Sequence, residues 1–424
     1  MEAIINFFTG SLNTVAWLYI FLPCTIVGGL YLTIRNRGIQ FTRFGYAMKN
    51  TVGKMFQKQE AGAGAVTPLQ AVTTALAATV GTGNIVGVAT AIKLGGPGAL
   101  FWMWLAAFFG MATKYAEGCL AVKYRQVDDN GNIAGGPMYY IEMGLGKKWK
   151  PLAVLFAFFG CMVALLGSGT TTQMNAIISS VEAGFGISTY ITCAVITVLV
   201  AIITFGGLQS IAKAAEKIVP AMAVIYFVIT VIFLALNAGG LPGAISQVFT
   251  GAFSGTAAAG GFAGAGVMLA MRSGIARGLF SNESGLGSAP IVAAAAKTKW
   301  PAEQGLISMT GTFIDTIIIC TLTGLTIIVS GQWLGDTNGA ELTQNAFAVT
   351  YGGFAPILLT VSLALFAFTT ILGWNYYGER CWEYLFGTKS ILFYRVLFLV
   401  ILASAAFLKL ESIWALADIV NGLM

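Results

Sequence analysis

Histidine is absent from all 424 residues. That gap excludes histidine metal sites, Ser-His-Asp catalysis and histidine proton relays together. Charge is also scarce, at 9% of residues, where a soluble domain carries about 25%. Cys24, Cys119, Cys161, Cys193, Cys320 and Cys381 lie singly in apolar segments with no CxxC pair, which suits inert packing better than a disulfide or metal framework. A cleavable signal is not expected, because the N-terminus is acidic at Glu2 and the first apolar run is too long. The net charge of +6 does not point to nucleic acid. The basic residues sit in short loops between apolar runs, where they set orientation.

What is abundant is apolar surface. Hydrophobic residues make up 57% of the chain, mean hydropathy is +0.80, and apolar runs near ~20 residues recur, each long enough to cross a bilayer. The chain reads as an all-α polytopic membrane protein. Its 53 glycines are roughly twice average usage, as tight helix packing and broken helices require.

About eleven spans are expected. They run near 12–34, 66–92, 98–122, 151–181, 188–208, 217–239, an interrupted segment 266–296, 304–331, 352–378, 390–408, and a last piece from Glu411 that is too short to cross. Loop 35–60 holds Arg35, Arg37, Arg43, Lys49, Lys54 and Lys58 against Glu60 alone, so it belongs in the cytoplasm and the N-terminus outside. Lys123, Arg125, Lys147, Lys148 and Lys150, then Lys213 and Lys217, then Lys297 and Lys299 fall on the same side. Arg272 and Arg277 fall in the outer half of span seven and are expected to line a water-filled vestibule, because arginine is costly against lipid.

Within the apolar stretch 74–92 the middle reads Gly81, Thr82, Gly83, Asn84. Glycine weakens a helix by roughly 1 kcal/mol, and an intramembrane Asn needs a partner. Two readings fit: close packing through small residues, or a helix broken at mid-membrane whose freed backbone groups bind something. The polar residues between the glycines favour the second. An offset of 200 residues relates Gly87 and Ala89 to Gly287 and Ala289, each following a polar, glycine-containing break, and Thr170 and Asn175 to Thr370 and Asn375. Spans two to six and seven to eleven form two sets of five, and an odd number per set inverts the second. The organisation expected is an extra N-terminal helix and basic loop (1–60), a first five-helix repeat (61–240) and an inverted second repeat (241–424) with a shortened last helix.

GGPGALFWMWLAAFFG at 95–110 and SNESGLGSAPIVAAAAKT at 281–298 resemble the two signature stretches of the sodium:alanine/glycine symporters. The resemblance implies a LeuT-like fold of ten core helices plus one, with Na⁺ driving uptake of alanine and glycine across the cell membrane. TVGTGN at 79–84 is similar to the AVGLGN break of LeuT-type symporters, which implies that the backbone carbonyls of Ala77 and Val80 coordinate Na⁺. The remaining ligands are expected from a facing hydroxyl pair, supplied here by Thr369 and Thr370, although membrane threonines commonly bond their own i−4 carbonyl.

A broken helix offers N–H groups to a substrate carboxylate and C=O groups to an ammonium or Na⁺. Thr82, Gly83 and Asn84, with Gly81, are the candidates at the first break, and Phe280, Ser281 and Asn282 at the second. Gln173, Asn175, Trp374 and Asn375 are candidate pocket residues, with bulky Trp374 limiting substrate size or simply packing. Glu283 either accepts the substrate ammonium, pairs with Arg277 or sits in a cytoplasmic gate, and Asp315 is a candidate for coupling or a structural pair. Lys114 and Glu117, three apart on one helix face, read as a structural pair. Trp102 and Trp104 serve either as interfacial anchors or in the signature's own task. Proton coupling on the same fold is the alternative and would need Glu283 or Asp315. A channel fits inverted halves less well, and no nucleophile–base pair or metal-ligand cluster suggests an enzyme. Oligomeric state is not legible.

Overall fold

The computed structural model describes residues 22–53, 65–128, 131–254 and 263–407, and all but one small hairpin of the regular structure there is helical. The end of the chain from Glu411, which the sequence reading assigned to the last helix, lies outside the described residues. Among the described residues, five helical stretches are long and apolar enough to cross a bilayer: Lys147–Phe185, Gly207–Leu236, Pro301–Ser330, Gly339–Phe386 and Thr388–Phe407. The pair Pro68–Thr79 and Gly83–Gly95, bent by 53°, makes a sixth when taken as one span. The helix Gly98–Lys123 adds 26 residues in the middle of the bundle, packed against Ala263–Asn282 and Pro301–Thr312.

The first broken helix starts where its sequence says it should. The Thr67 hydroxyl accepts from Gln70 N at 3.1 Å, the Gln70 side chain accepts from Thr67 N at 3.0 Å, and Pro68 takes the first helical position. This reciprocal cap satisfies amides that a helix start leaves unpaired. The helix ends at Thr79, Val80 turns out of helical geometry (φ −77°, ψ 89°), and the chain resumes as a π-helical turn over Gly83–Gly87 before Val88–Gly95.

The second broken helix, Ala263–Asn282, stops at Glu283–Ser288 and resumes as the short helix Ala289–Ala293. Its break needs left-handed backbone at Glu283 (φ 54°), Gly285 (φ 95°) and Gly287 (φ 76°). The two glycines adopt that region freely. A glutamate there carries strain of order 1–3 kcal/mol.

Two further interruptions were not expected. The span read as continuous over 151–181 divides into Lys150–Leu166 and Thr171–Phe185 around Gly167–Thr170. The span at 304–331 changes from α to π geometry over Phe313–Cys320, around Asp315. The long helix Ala355–Phe386 follows a separate helix Gly339–Tyr351 and runs past the end expected for span nine.

At the end of the bundle that carries the basic loops, backbone hydrogen bonds link two segments. Ala65 N and Val66 N donate to Ala295 O at 2.8 and 3.2 Å, and Lys297 N donates to Val66 O at 2.7 Å. One end of the first broken helix is thereby joined to the chain leaving the second. Arg125 adds guanidinium bonds to Ala296 O (2.8 Å) and Ala294 O (3.2 Å). Arg380 lies at the same end of the fold, 2.6 Å from Glu383 and 2.8 Å from Glu379.

Candidate functional site

The two breaks meet. A Cβ added at Gly83 would sit 3.1 Å from Ser281 Cα and 3.4 Å from the Phe280 ring. A Cβ at Gly81 would sit 2.4 Å from Thr370 Oγ1, closer than real side chains approach, so helix Ala355–Phe386 lies directly on the break. Gly373, one turn further along, lies in the same way on Ala78. Glycine at 81 and 83 is what allows three helices to converge here.

Asn84 holds the first break open. In a continuous helix Gly81 N would donate to Ala77 O and Asn84 N to Val80 O. Here Gly81 N donates to the Asn84 side chain (Oδ1, 2.9 Å) and Asn84 N donates to Gly81 O (3.2 Å). The carbonyls of Ala77 and Val80 thus lose their regular donors. The other end of the Asn84 amide donates to Asp315 Oδ1 at 2.7 Å. Asp315 also accepts from Ser281 Oγ (2.9 Å) and Thr316 Oγ1 (2.8 Å), and Thr316 accepts from Asn282 Nδ2 at 3.1 Å. Asp315 therefore joins the first break to the second through neutral donors only, and Asn84 and Ser281 are occupied with it.

Gln173 stands against the first break from the divided helix. Its Nε2 donates to Thr82 Oγ1 (3.1 Å) and to Ser168 O (2.9 Å), while its Oε1 is buried, lacks a hydrogen-bond partner and lies 3.5 Å from a Cβ position at Gly81. Buried amide oxygens are seldom left unpaired, so this one is available to a donor or a cation. Asn175 is buried in the same helix, and Asn375 is buried with neither amide atom bonded.

Thr369 and Thr370 diverge. Both hydroxyls donate to Phe366 O at 3.0 Å, as membrane threonines commonly do. Only Thr370 faces the break, while Thr369 lies 3.5 Å from Met222 Sδ.

The second break is the charged one. Glu283 is buried, accepts from Trp374 Nε1 at 2.9 Å, and is bonded by Ser288 Oγ on its other oxygen. Trp374 is thus a bridge between helix Ala355–Phe386 and the break, and its Cβ would meet a side chain at Gly169 at 2.6 Å. Of the three readings left open for Glu283, the pair with Arg277 does not form: its oxygens are taken by Trp374 and Ser288. Arg277 lies over the Phe280 ring at 5.8 Å and lines a cavity of about 120 Å³ with Thr82, Val86, Gly87, Thr90 and Phe280.

The Lys114–Glu117 pair is also not formed. Glu117 instead accepts from Gly285 N at 3.2 Å. Trp102 and Trp104 donate to Ala252 O and Thr321 Oγ1, tying helices together. Ser168, Gly169 and Thr316 were missed. GSGTTT at 167–172 has the same small-polar character as the first break and was the signal for the divided helix. Thr316 carried no such sign.

A sodium:alanine symporter family model matches residues 1–424. The chain belongs to the sodium:alanine symporter family. It is 46% identical over 422 residues to the sodium/alanine symporter AgcS of Methanococcus maripaludis, covering 98% of this chain and 91% of that one. It is 53% identical over 398 residues to an uncharacterized transporter of Haemophilus influenzae, covering 93% and 86%. Among solved structures it resembles MhsT in complex with L-phenylalanine, with a TM-score of 0.58 at 14% identity over 86% of this chain and 87% of that one. That likeness shows the fold, a LeuT-like transporter fold. The chain is a multi-pass membrane transporter of this family.

Proposed function

We propose that the chain carries alanine and glycine into the cell together with Na⁺ by alternating access. One observation carries the reading. Asn84 takes over the hydrogen bonds of the first break, and the carbonyls it releases, at Ala77 and Val80, are hard oxygen ligands of the kind Na⁺ takes. Gly81, next to Val80, lies against Thr370 of helix Ala355–Phe386. Thr82 and Gly83 present N–H groups at the start of the resumed helix, where its dipole favours the substrate carboxylate. The free oxygen of Gln173 is the acceptor for the ammonium. Phe280 bounds the space and favours small side chains.

The vestibule at Arg277 opens on the side of Gly83–Gly95, away from the basic loops. Under the orientation drawn from those loops, with the N-terminus outside, it faces the exterior, and the Val66–Ala295 join is the inner seal. Two helices broken at mid-depth and touching each other support the five-plus-five inverted arrangement, with Leu22–Arg35 as the extra helix. Asp315, bonded to both breaks, is placed to couple them, and Glu283 belongs to the moving hinge rather than to the substrate.

Radiolabelled alanine uptake into proteoliposomes under a Na⁺ gradient tests this, with choline replacing Na⁺ and with glycine and leucine as competitors. Uptake that needs Na⁺ and is suppressed by glycine but not leucine is expected. Uptake unchanged in choline overturns the sodium reading and leaves the proton-coupled alternative through Glu283 or Asp315.

A further inference from the structure

Helix Gly98–Lys123 passes beneath the second break on one face. Gly110 lies against Ser284, where an added Cβ would meet its side chain at 2.8 Å. Two turns on, Glu117 accepts the Gly285 amide. Lys114 lies between these contacts, four residues from the first and three from the second, and therefore faces the same backbone. It is 3% exposed, and its ammonium has no hydrogen-bond partner among the described residues. An unpaired ammonium at this depth is costly, and nothing in the transport reading uses it.

The groups around it are mostly of the opposite sign. Glu117 comes from its own helix, Glu283 from the second break and Asp315 from the π-helical segment, each within electrostatic reach of Lys114. Tyr140 and Tyr377 face these carboxylates from helices Pro137–Gly144 and Ala355–Phe386. Three buried carboxylates and one buried cation thus share this part of the fold. Glu283 and Asp315 are held only by hydroxyl, amide and indole donors, so their charge is balanced by Lys114 or by ions that come from solution.

We propose that Lys114 is a tethered cation that balances Glu117 and Glu283 beneath the second break, in place of an ion drawn from solution. It is a positioning residue: it touches neither substrate nor coupling ion, and it fixes how many cations must enter from outside for each substrate. The proposal rests on the Na⁺-symport reading for the identity of the transported ion, but not for the balance of charge at the break.

The test compares Lys114→Met, Lys114→Arg and Lys114→Met/Glu283→Gln with the wild-type chain in proteoliposomes. Alanine uptake is titrated with Na⁺ at pH 6 and pH 8. With Lys114→Met the break needs a replacement cation, so uptake should rise about tenfold from pH 8 to pH 6, or the sodium dependence should steepen. Lys114→Arg should keep the wild-type profile, and the double variant should flatten the pH response again. A Lys114→Met variant with wild-type pH and sodium curves overturns the proposal, as does a double variant as pH-sensitive as the single one. Should Lys114→Met not transport, its melting temperature in detergent is read at both pH values with and without Na⁺. A larger stabilisation by Na⁺ or acid than in the wild type supports the proposal, and an equal one overturns it. A wild-type chain indifferent to choline removes the sodium reading alone, since the pH arm still reads the charge balance.

Discussion

The two breaks meet, yet they interrupt their helices by different chemistry. The first uses no left-handed residue. Val80 and Thr82 keep negative φ, and one amide side chain, Asn84, takes over the hydrogen bond of Gly81. The second bends through three left-handed residues and fills the turn with a buried carboxylate bonded to Trp374 and Ser288. The first break therefore presents neutral carbonyls, as an ion site needs. The second concentrates charge and strain, the character required by the hinge proposed for it.

The sharpest way to break this contrast is at Gly81. In Gly81→Ala the new methyl would lie 2.4 Å from Thr370 Oγ1. Overpacking of this kind costs about 1–3 kcal/mol, so half-maximal uptake should need roughly ten- to hundredfold more Na⁺. Gly81→Ala with Thr370→Ala should recover part of the loss. No recovery would mean that the two helices do not meet at this point. Asn84→Ala comes next. It strips the acceptor from Gly81 N and a donor from Asp315, and each buried group left unpaired costs about 1–3 kcal/mol. Uptake should fall at least about thirtyfold, and Asn84→Asp should not rescue it, because it sets a second carboxylate against Asp315.

Trp374→Phe probes the second break. It keeps an aromatic ring and removes the N–H that holds Glu283 Oε1 at 2.9 Å. If the second break is a hinge, maximal transport rate should fall roughly fivefold with little change in half-saturating alanine. A loss confined to alanine affinity would move Trp374 from the hinge to the pocket.

Much of this was legible from residue types alone. Glycines flanking a Thr and an Asn marked the first break, and SNESGLG marked the second. What stayed hidden depends on which way a side chain turns. Glu283 and Arg277 lie six apart, near enough to suggest a pair, yet the left-handed backbone at Glu283 turns its carboxylate to Trp374. Lys114 and Glu117 share a helix face, yet Glu117 finds the Gly285 amide instead. The π turn at Asp315 has no glycine or proline to announce it.

The smallest expected effect is the one that separates two adjacent hydroxyls. Thr369 and Thr370 are the same residue type, make the same bond to Phe366 O and are both buried, so helix stability does not distinguish their loss. Their surroundings do: Thr370 faces the break at Gly81, and Thr369 faces Met222. An ion ligand that is one of several contributes about 1 kcal/mol, similar to a single hydrogen bond. Thr370→Ala should therefore raise half-saturating Na⁺ about three- to fivefold, while Thr369→Ala leaves it within twofold. Equal shifts would return both hydroxyls to the ion. The reverse order would place the ion on the Met222 side of the helix, away from the carbonyls of Ala77 and Val80, and the first break would then lose its role as the sodium half of the site.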